Sequence, residues 1–289
     1  MQREPDESAD RFGLPDAVLP KDMAKRAERA GAEKAEQDGL SLLALAALAG
    51  AYIAFGATFA ASVSSGFGGD MPHGLGKMLG GIAFSLAYVL AIVGGAELFT
   101  TNNLMVMAWA HGRLPTWWLL RAWAIVFVGN FIGAVATGAM LIVAGQHQEG
   151  DGAVGSSLID SAARLSGLDF VDALFLGILG NTLLCLGVWL TYSARSTTDR
   201  ILALTPPVAA FYALGLEHAV AVMFYLPCAA FIAALAEPSF WNTIQAAPLQ
   251  ITPVEFLRVL LPVTLGNVIG GGVLVALMYW FVYLRPGRI

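Results

Sequence analysis

Gly215-Leu216-Glu217-His218 stands between Ile201-Leu202-Ala203-Leu204 and Val220-Ala221-Val222-Met223-Phe224. From Arg200 to Glu237 no other acidic, basic or histidine side chain interrupts the run, so Glu217 and His218 fall near the middle of a stretch suited to hydrocarbon. Titratable groups at that depth are costly and mark a functional site by default. The neighbouring glycine implies a helix interrupted there, whose freed backbone groups only a protein-lined cavity can satisfy. A counterpart lies earlier, at Gly94-Gly95-Ala96-Glu97-Leu98-Phe99-Thr100-Thr101-Asn102-Asn103. Paired interruptions in corresponding halves point to a permeation site.

The surroundings agree with a membrane chain. Charged residues make up 13% of the 289 and hydrophobic ones 57%, with a mean hydropathy of +0.68, outside the range of soluble domains. Runs long enough to cross a bilayer occur at Leu40–Ser64, Met78–Trp109, Trp117–Val143, Ala173–Tyr192, Ile201–Leu235 and Val259–Leu284. The expectation is an all-α integral membrane protein of six transmembrane helices, the second and fifth broken. Orientation follows from Lys and Arg. With both termini cytoplasmic, Arg3, Arg11 and the cluster from Lys21 to Lys34 lie inside with Arg113, Arg121, Arg195, Arg200, Arg285 and Arg288, leaving only Lys77, Arg164 and Arg258 outside. Cys185 and Cys228 fall in apolar spans, where a thiol acts as a small hydrophobe, so neither a disulfide nor a metal site is expected. No basic stripe suits nucleic acid, and no cofactor motif is present. The formal charge of −5 sits largely in the N-terminal segment and loops and says nothing of a substrate.

Residues 1–18 mix acids with prolines and read as a disordered tail, with no apolar core of a signal peptide, so the first span is expected to insert permanently. Lys21 to Gln37 reads as a helix with Gly31 as its weak point; a solvated helix at the membrane surface and a mobile cytoplasmic lid both remain open. Gly50, Ala51, Ala54, Gly56 and Ala57 offer close-approach surfaces, and Ser64 to Pro72 is turn-rich. Gly129-Asn130-Phe131-Ile132-Gly133 in the third span recurs as Gly266-Asn267-Val268-Ile269-Gly270 in the sixth. Each follows its half's interruption, and three crossings per half make an inverted repeat the natural architecture. Asn181 and Asn267 are amides at membrane depth, open to interhelical hydrogen bonding or to a pore-lining role. His218 needs a partner to fix its tautomer, and one of these amides could supply it.

At these residues the chain resembles the formate/nitrite transporter family, closest to its formate-channel branch. The resemblance is carried by Lys77-Met78-Leu79-Gly80-Gly81-Ile82-Ala83-Phe84-Ser85-Leu86, by Gly95-Ala96-Glu97-Leu98-Phe99-Thr100, by Gly215 to Phe224 and by Pro262 to Gly272. Leu19-Pro20-Lys21-Asp22-Met23-Ala24-Lys25 is similar to the start of the formate branch. The resemblance implies an aquaporin-like fold, a homopentamer with one pore per protomer in the plasma (inner) membrane, and passage of small monovalent weak-acid anions with protons. It implies a cytoplasmic segment over 1–38, a channel domain over 39–285 with inverted halves at about 39–146 and 170–285, and a tail at 286–289. By position, Phe84 and Phe211 would form the extracytoplasmic constriction, Leu98 and Tyr88 the cytoplasmic one, and His218 would stand between, held by Asn181 with Thr100 opposite. Glu97 and Glu217 would anchor the breaks, with Asn267 beside the second. The chain departs from the pattern at Tyr88, where the branch carries an aliphatic residue, making the constriction narrower or wetter. It departs again before the fourth span, where Arg164, displaced by about one residue, stands for an expected lysine.

Between apolar constrictions a histidine is desolvated, which disfavours imidazolium, and an entering anion reverses that preference. The anion could then cross as a neutral acid, His218 relaying the proton, while Lys77 and Arg164 concentrate anions at the outer mouth. A histidine that merely fixes the broken helix is the plainer reading. Formate is the expected substrate, with nitrite, hydrosulfide, acetate and lactate as alternatives within the family. A neutral-solute channel would want Asn-Pro-Ala at the breaks, which neither has. A membrane enzyme or sensor would want clustered ligands or a nucleophile with its base, whereas His73, His111, His147 and His218 are scattered.

Overall fold

The computed structural model of the chain describes residues 18–65 and 72–285. The tail at 1–17, the turn at 66–71 and residues 286–289 lie outside the described residues, and with them Arg3, Arg11 and Arg288 of the orientation count. Every regular element among the described residues is helical.

Helix α1 (Pro20–Glu36) leads into α2 (Gly39–Ser65), the first span. The second span is α3 (His73–Gly94), a non-helical Gly95–Leu98, then α4 (Phe99–Asn102), a 3-10 turn at Asn103–Met105 and α5 (Val106–Ala110). Helix α6 (Thr116–Val143) is the third span and α7 (Ala153–Ser166) the connector to α8 (Phe170–Thr191), the fourth. The fifth span is divided into α9 (Thr197–Ala213) and α10 (Ala219–Leu235), after which α11 (Pro238–Ile244) turns away by 117°. The sixth runs through α12 (Pro253–Asn267), a π-helical stretch at Val268–Leu277 and α13 (Met278–Tyr283). Five helices are long and apolar enough to cross a bilayer alone, and α10 with α11 makes a bent sixth candidate.

The expected starts at Ala173, Ile201 and Val259 fall too late, because apolarity alone misses polar first turns. Asp169 accepts a hydrogen bond from the backbone N–H of Asp172, and capping boxes Ser196/Asp199 and Thr252/Glu255 open α9 and α12. A cap satisfies donors that would otherwise be orphaned, so these helices begin before their apolar runs.

Each half is held by glycine contacts. A Cβ on Gly133 would stand 1.8 Å from the Ala47 carbonyl oxygen and one on Gly129 2.9 Å from that of Leu43. In the second half, a Cβ on Gly270 would stand 2.2 Å from the Ile178 oxygen and one on Gly266 2.3 Å from that of Leu174. Within hydrocarbon there is little hydrophobic drive between helices, so this backbone-to-backbone approach is what binds α2 to α6 and α8 to α12.

Helix α1 is docked, which replaces the freely solvated helix, and Gly31 is a contact rather than a weak point. It buries Met23, Ala24, Ala27, Gly31 and Ala35, and a Cβ on Gly31 would lie 3.2 Å from the Met105 Cα. The Arg26 guanidinium donates to the Tyr192 carbonyl at 3.1 Å, and Arg113 pairs with buried Glu28. Cys185 and Cys228 are free and buried.

Gly133→Ala and Gly270→Ala are each expected to force the paired spans apart, at a cost of about 1–3 kcal/mol for overpacking. Gly74, whose Cβ would meet nothing within 4 Å, is the control. Melting temperatures in detergent check this: both variants melt several degrees lower, and Gly74→Ala melts with the parent.

Candidate functional site

Two backbone breaks face the middle of the molecule, built alike. Gly95 (φ +80°) and Gly215 (φ +67°) take the left-handed conformation that glycine adopts without steric cost. The N–H of Ala96 then reaches back to the Ala91 carbonyl at 2.8 Å and that of Leu216 to Phe211 at 3.2 Å. The next N–H crosses to a neighbouring span: Glu97 to the Leu45 carbonyl at 3.2 Å, Glu217 to that of Leu176 at 3.3 Å.

One amide closes each break. Asn130 on α6 accepts from the Phe99 N–H at 2.8 Å and donates to the Glu97 and Ala46 carbonyls at 2.8 Å each. Asn267 on α12 accepts from the Ala219 N–H at 2.8 Å and donates to the carbonyls of Gly177 at 2.8 Å and Glu217 at 3.2 Å. Both asparagines are fully buried. Each satisfies with one side chain two backbone groups that a broken helix leaves orphaned and ties them to a carbonyl of the neighbouring span.

The carboxylates point away from the centre, toward cations on the two helices that precede a half. Glu97 accepts from Lys34 of α1 at 2.9 Å and from the Asn102 amide at 2.8 Å, and Lys34 also reaches Asn102 at 3.0 Å. Glu217 pairs with Arg164 of α7. Arg164, bound to the second break through its guanidinium, keeps 47% of its side chain exposed. Neither partnership was visible in the sequence, although Lys34 and Arg164 each sit within two helical turns of a span's start, so the internal repeat carried the signal. Lys77 lies on the same side as Arg164, its ammonium 5.8 Å from the Tyr212 ring centroid.

His218 caps α10 with extended backbone (φ −138°, ψ 148°) and is fully buried. Its ring lies 5.3 Å from Phe211, 6.0 Å from Phe84 and 6.1 Å from Tyr88, centroid to centroid. Phe84 and Phe211 stack on one another at 6.1 Å. Among the described residues neither ring nitrogen of His218 has a hydrogen-bond partner. The expected hold by Asn181 is therefore corrected: the Asn181 amide donates to the backbone carbonyls of Thr100 at 3.0 Å and Asn267 at 2.8 Å. Those carbonyls belong to a broken backbone and outrank a side chain as acceptors, because an unpaired carbonyl at this depth is expensive. Thr100 lies within reach of Tyr88, hydroxyl to hydroxyl at 3.5 Å, and Leu98 is fully buried at the head of α4.

Cavities open on both sides of this cluster. On one, a space of about 60 Å³ is lined by Lys77, Phe84, Arg164, Phe211, Tyr212 and Glu217, beside a wider one of about 530 Å³ that also reaches Lys77 and Arg164. On the other, about 240 Å³ is lined by Lys34, Ala91, Glu97, Tyr192 and Arg200 among others. The rings of Phe84, Phe211, Tyr88 and His218 stand between them. The centre can thus offer hydrogen bonds to something small passing from one side to the other, with aromatic walls that exclude bulk water. No group of three or more possible metal ligands occurs among the described residues.

Comparison with known proteins matches residues 21–281 to the family described as formate/nitrite transporter. The chain is 40% identical to the formate channel FocA of Escherichia coli K12, over 93% of this chain and 96% of that one. It is 32% identical to the formate channel FocA of Haemophilus influenzae, over 89% and 92%. Among solved structures, a pentameric formate channel with formate bound superposes with a TM-score of 0.80 at 38% identity, covering 86% of this chain and 98% of that one.

Asn130→Leu and Asn267→Leu each strand an N–H and a carbonyl of the break at membrane depth, at about 1–3 kcal/mol per unpaired group. Each variant is expected to lose most of its folded yield in detergent, read by size-exclusion chromatography. A Leu variant that elutes and melts like the parent would show that the amide does not close the break.

Proposed function

Because the chain belongs to the formate/nitrite transporter family, we propose that it carries formate across the membrane, through a separate pore in each protomer of a homopentamer. Formate is favoured by its channel relatives, and the pentamer by the formate-bound neighbour. Those relatives are channels and transporters rather than enzymes. The excess of Lys and Arg in the N-terminal segment and in the short connections at Arg113, Arg195 and Arg200 supports an inner-membrane protein with both termini in the cytoplasm.

The observation that carries the reading is His218: buried, ringed by Phe84, Phe211 and Tyr88, both nitrogens without a protein partner. Buried polar atoms are nearly always hydrogen-bonded, and a centre left open between two cavities suits a transient ligand. Phe84 and Phe211 form the outer constriction, Leu98 and Tyr88 the inner. An anion held at His218 stabilises imidazolium, so a proton from the aqueous side joins the imidazole as the anion arrives. Transfer of that proton to a carboxylate oxygen gives neutral formic acid, which crosses the constriction still ahead of it without the cost of a bare charge. On the far side the acid releases its proton to water, and His218 is neutral again. The functional unit is the domain at 39–285 with inverted halves. We extend each half to its leading helix, α1 and α7, since Lys34 and Arg164 bind the two break carboxylates.

Formate flux into proteoliposomes of the purified protein tests this. Uptake is expected to rise as the formate-loaded side is made more acidic, and His218→Asn and His218→Phe are expected to flatten that dependence. Parent protein without formate flux overturns the substrate; variants with the parent's pH profile overturn the relay.

A further inference from the structure

Tyr88 lies one helical turn beyond Phe84 on α3, and Ala91, on the same face three residues further, already lines the cavity that contains Glu97 and Arg200. Its phenol thus occupies the passage between His218 and that cavity. The ring is fully buried and meets the imidazole edge-on.

The hydroxyl of Tyr88 faces that of Thr100 at 3.5 Å, and among the described residues neither hydroxyl has another hydrogen-bond partner. A separation of 3.5 Å is beyond the usual span for two hydroxyls, about 2.5–3.0 Å, so the pair is adjacent rather than tightly joined. Two hydroxyls carry two protons, and their mutual bond uses one at most. Among the described residues neither hydroxyl makes another hydrogen bond, and neither does either ring nitrogen of His218 beside them. The Thr100 backbone is held in place: its carbonyl accepts from the Asn181 amide at 3.0 Å and lies 3.3 Å from the Cys185 sulfur. Leu98, the other side chain at this level, is apolar.

We propose that Tyr88 determines specificity, its hydroxyl and that of Thr100 completing the station at His218 so that it grips an arriving oxyanion by its oxygens before the imidazole hands over its proton. The inference rests on the reading that His218 lines the anion path. A carboxylate or nitrite presents two oxygens on one centre and can accept from both hydroxyls, or from one hydroxyl and the imidazole during the hand-over. Hydrosulfide presents a single, softer acceptor and draws less from the pair. The station therefore favours small oxyanions over hydrosulfide.

The test compares formate and hydrosulfide fluxes in the same proteoliposomes for the parent, Tyr88→Phe, Thr100→Val and Thr100→Ser. Losing a hydrogen bond to a charged group corresponds to about a tenfold change, so Tyr88→Phe, which keeps the ring and its packing, is expected to lower the formate-to-hydrosulfide ratio about tenfold. Thr100→Val is expected to lower it similarly, and Thr100→Ser to restore it. A ratio within twofold of the parent's in Tyr88→Phe overturns the proposal whatever the absolute fluxes, and so does a parent-like ratio in Thr100→Val. A parent that carries no formate overturns the assigned function instead, and the two failures are distinct.

Discussion

A backbone that stops being helical inside a bilayer must find a partner for every N–H and C=O it releases, and no water is there to help. In this chain Asn130 and Asn267 meet that demand. Each spans from one helix to a break and a neighbouring span, taking three backbone groups at once. The glycines flanking them exist for the same purpose. Unless α6 lies against α2, and α12 against α8, at the separations that only Gly129, Gly133, Gly266 and Gly270 permit, the amides cannot reach. Packing and hydrogen bonding here are one device seen from two sides.

Charge is handled with the same symmetry. Each break carries a buried carboxylate, and each is met by a cation from an interfacial helix, Lys34 with 26% of its side chain exposed and Arg164 with 47%. The cations therefore keep part of their hydration while neutralising groups that have lost theirs, which moderates the desolvation cost of a buried pair. With the carboxylates turned outward, the centre is left to an imidazole, two hydroxyls and aromatic rings.

The breaks were legible because glycine beside Glu97 and Glu217 stands out in runs without other charge, and the inverted halves because Gly-Asn-x-Ile-Gly recurs. Phe84, Phe211, Tyr88 and His218, named from the sequence, do converge. What remained hidden depended on distance along the chain or on competition for acceptors. Lys34 meets Glu97 across 63 residues and Arg164 meets Glu217 across 53, and no local pattern announces such pairs. The Asn181 amide looked equally suited to His218 and to a carbonyl until the three-dimensional arrangement offered it two carbonyls. The π-helical turn of the sixth span leaves only the run Gly270-Gly271-Gly272 as its trace. There a Cβ on Gly271 would fall 2.5 Å from the Asn181 amide nitrogen.

The halves also part company beside their closing amides. One turn beyond Ala46, whose carbonyl Asn130 binds, stands Gly50; one turn beyond Gly177, whose carbonyl Asn267 binds, stands Asn181. The first half closes that spot with bare backbone, while the second fills it with an amide that reaches across to Thr100 of the opposite break. A rivet between otherwise mirrored leaves removes their independence. Any widening of the inner leaf must first pull that rivet, so the two do not act as separate doors in a corridor but as one shutter with a shared latch.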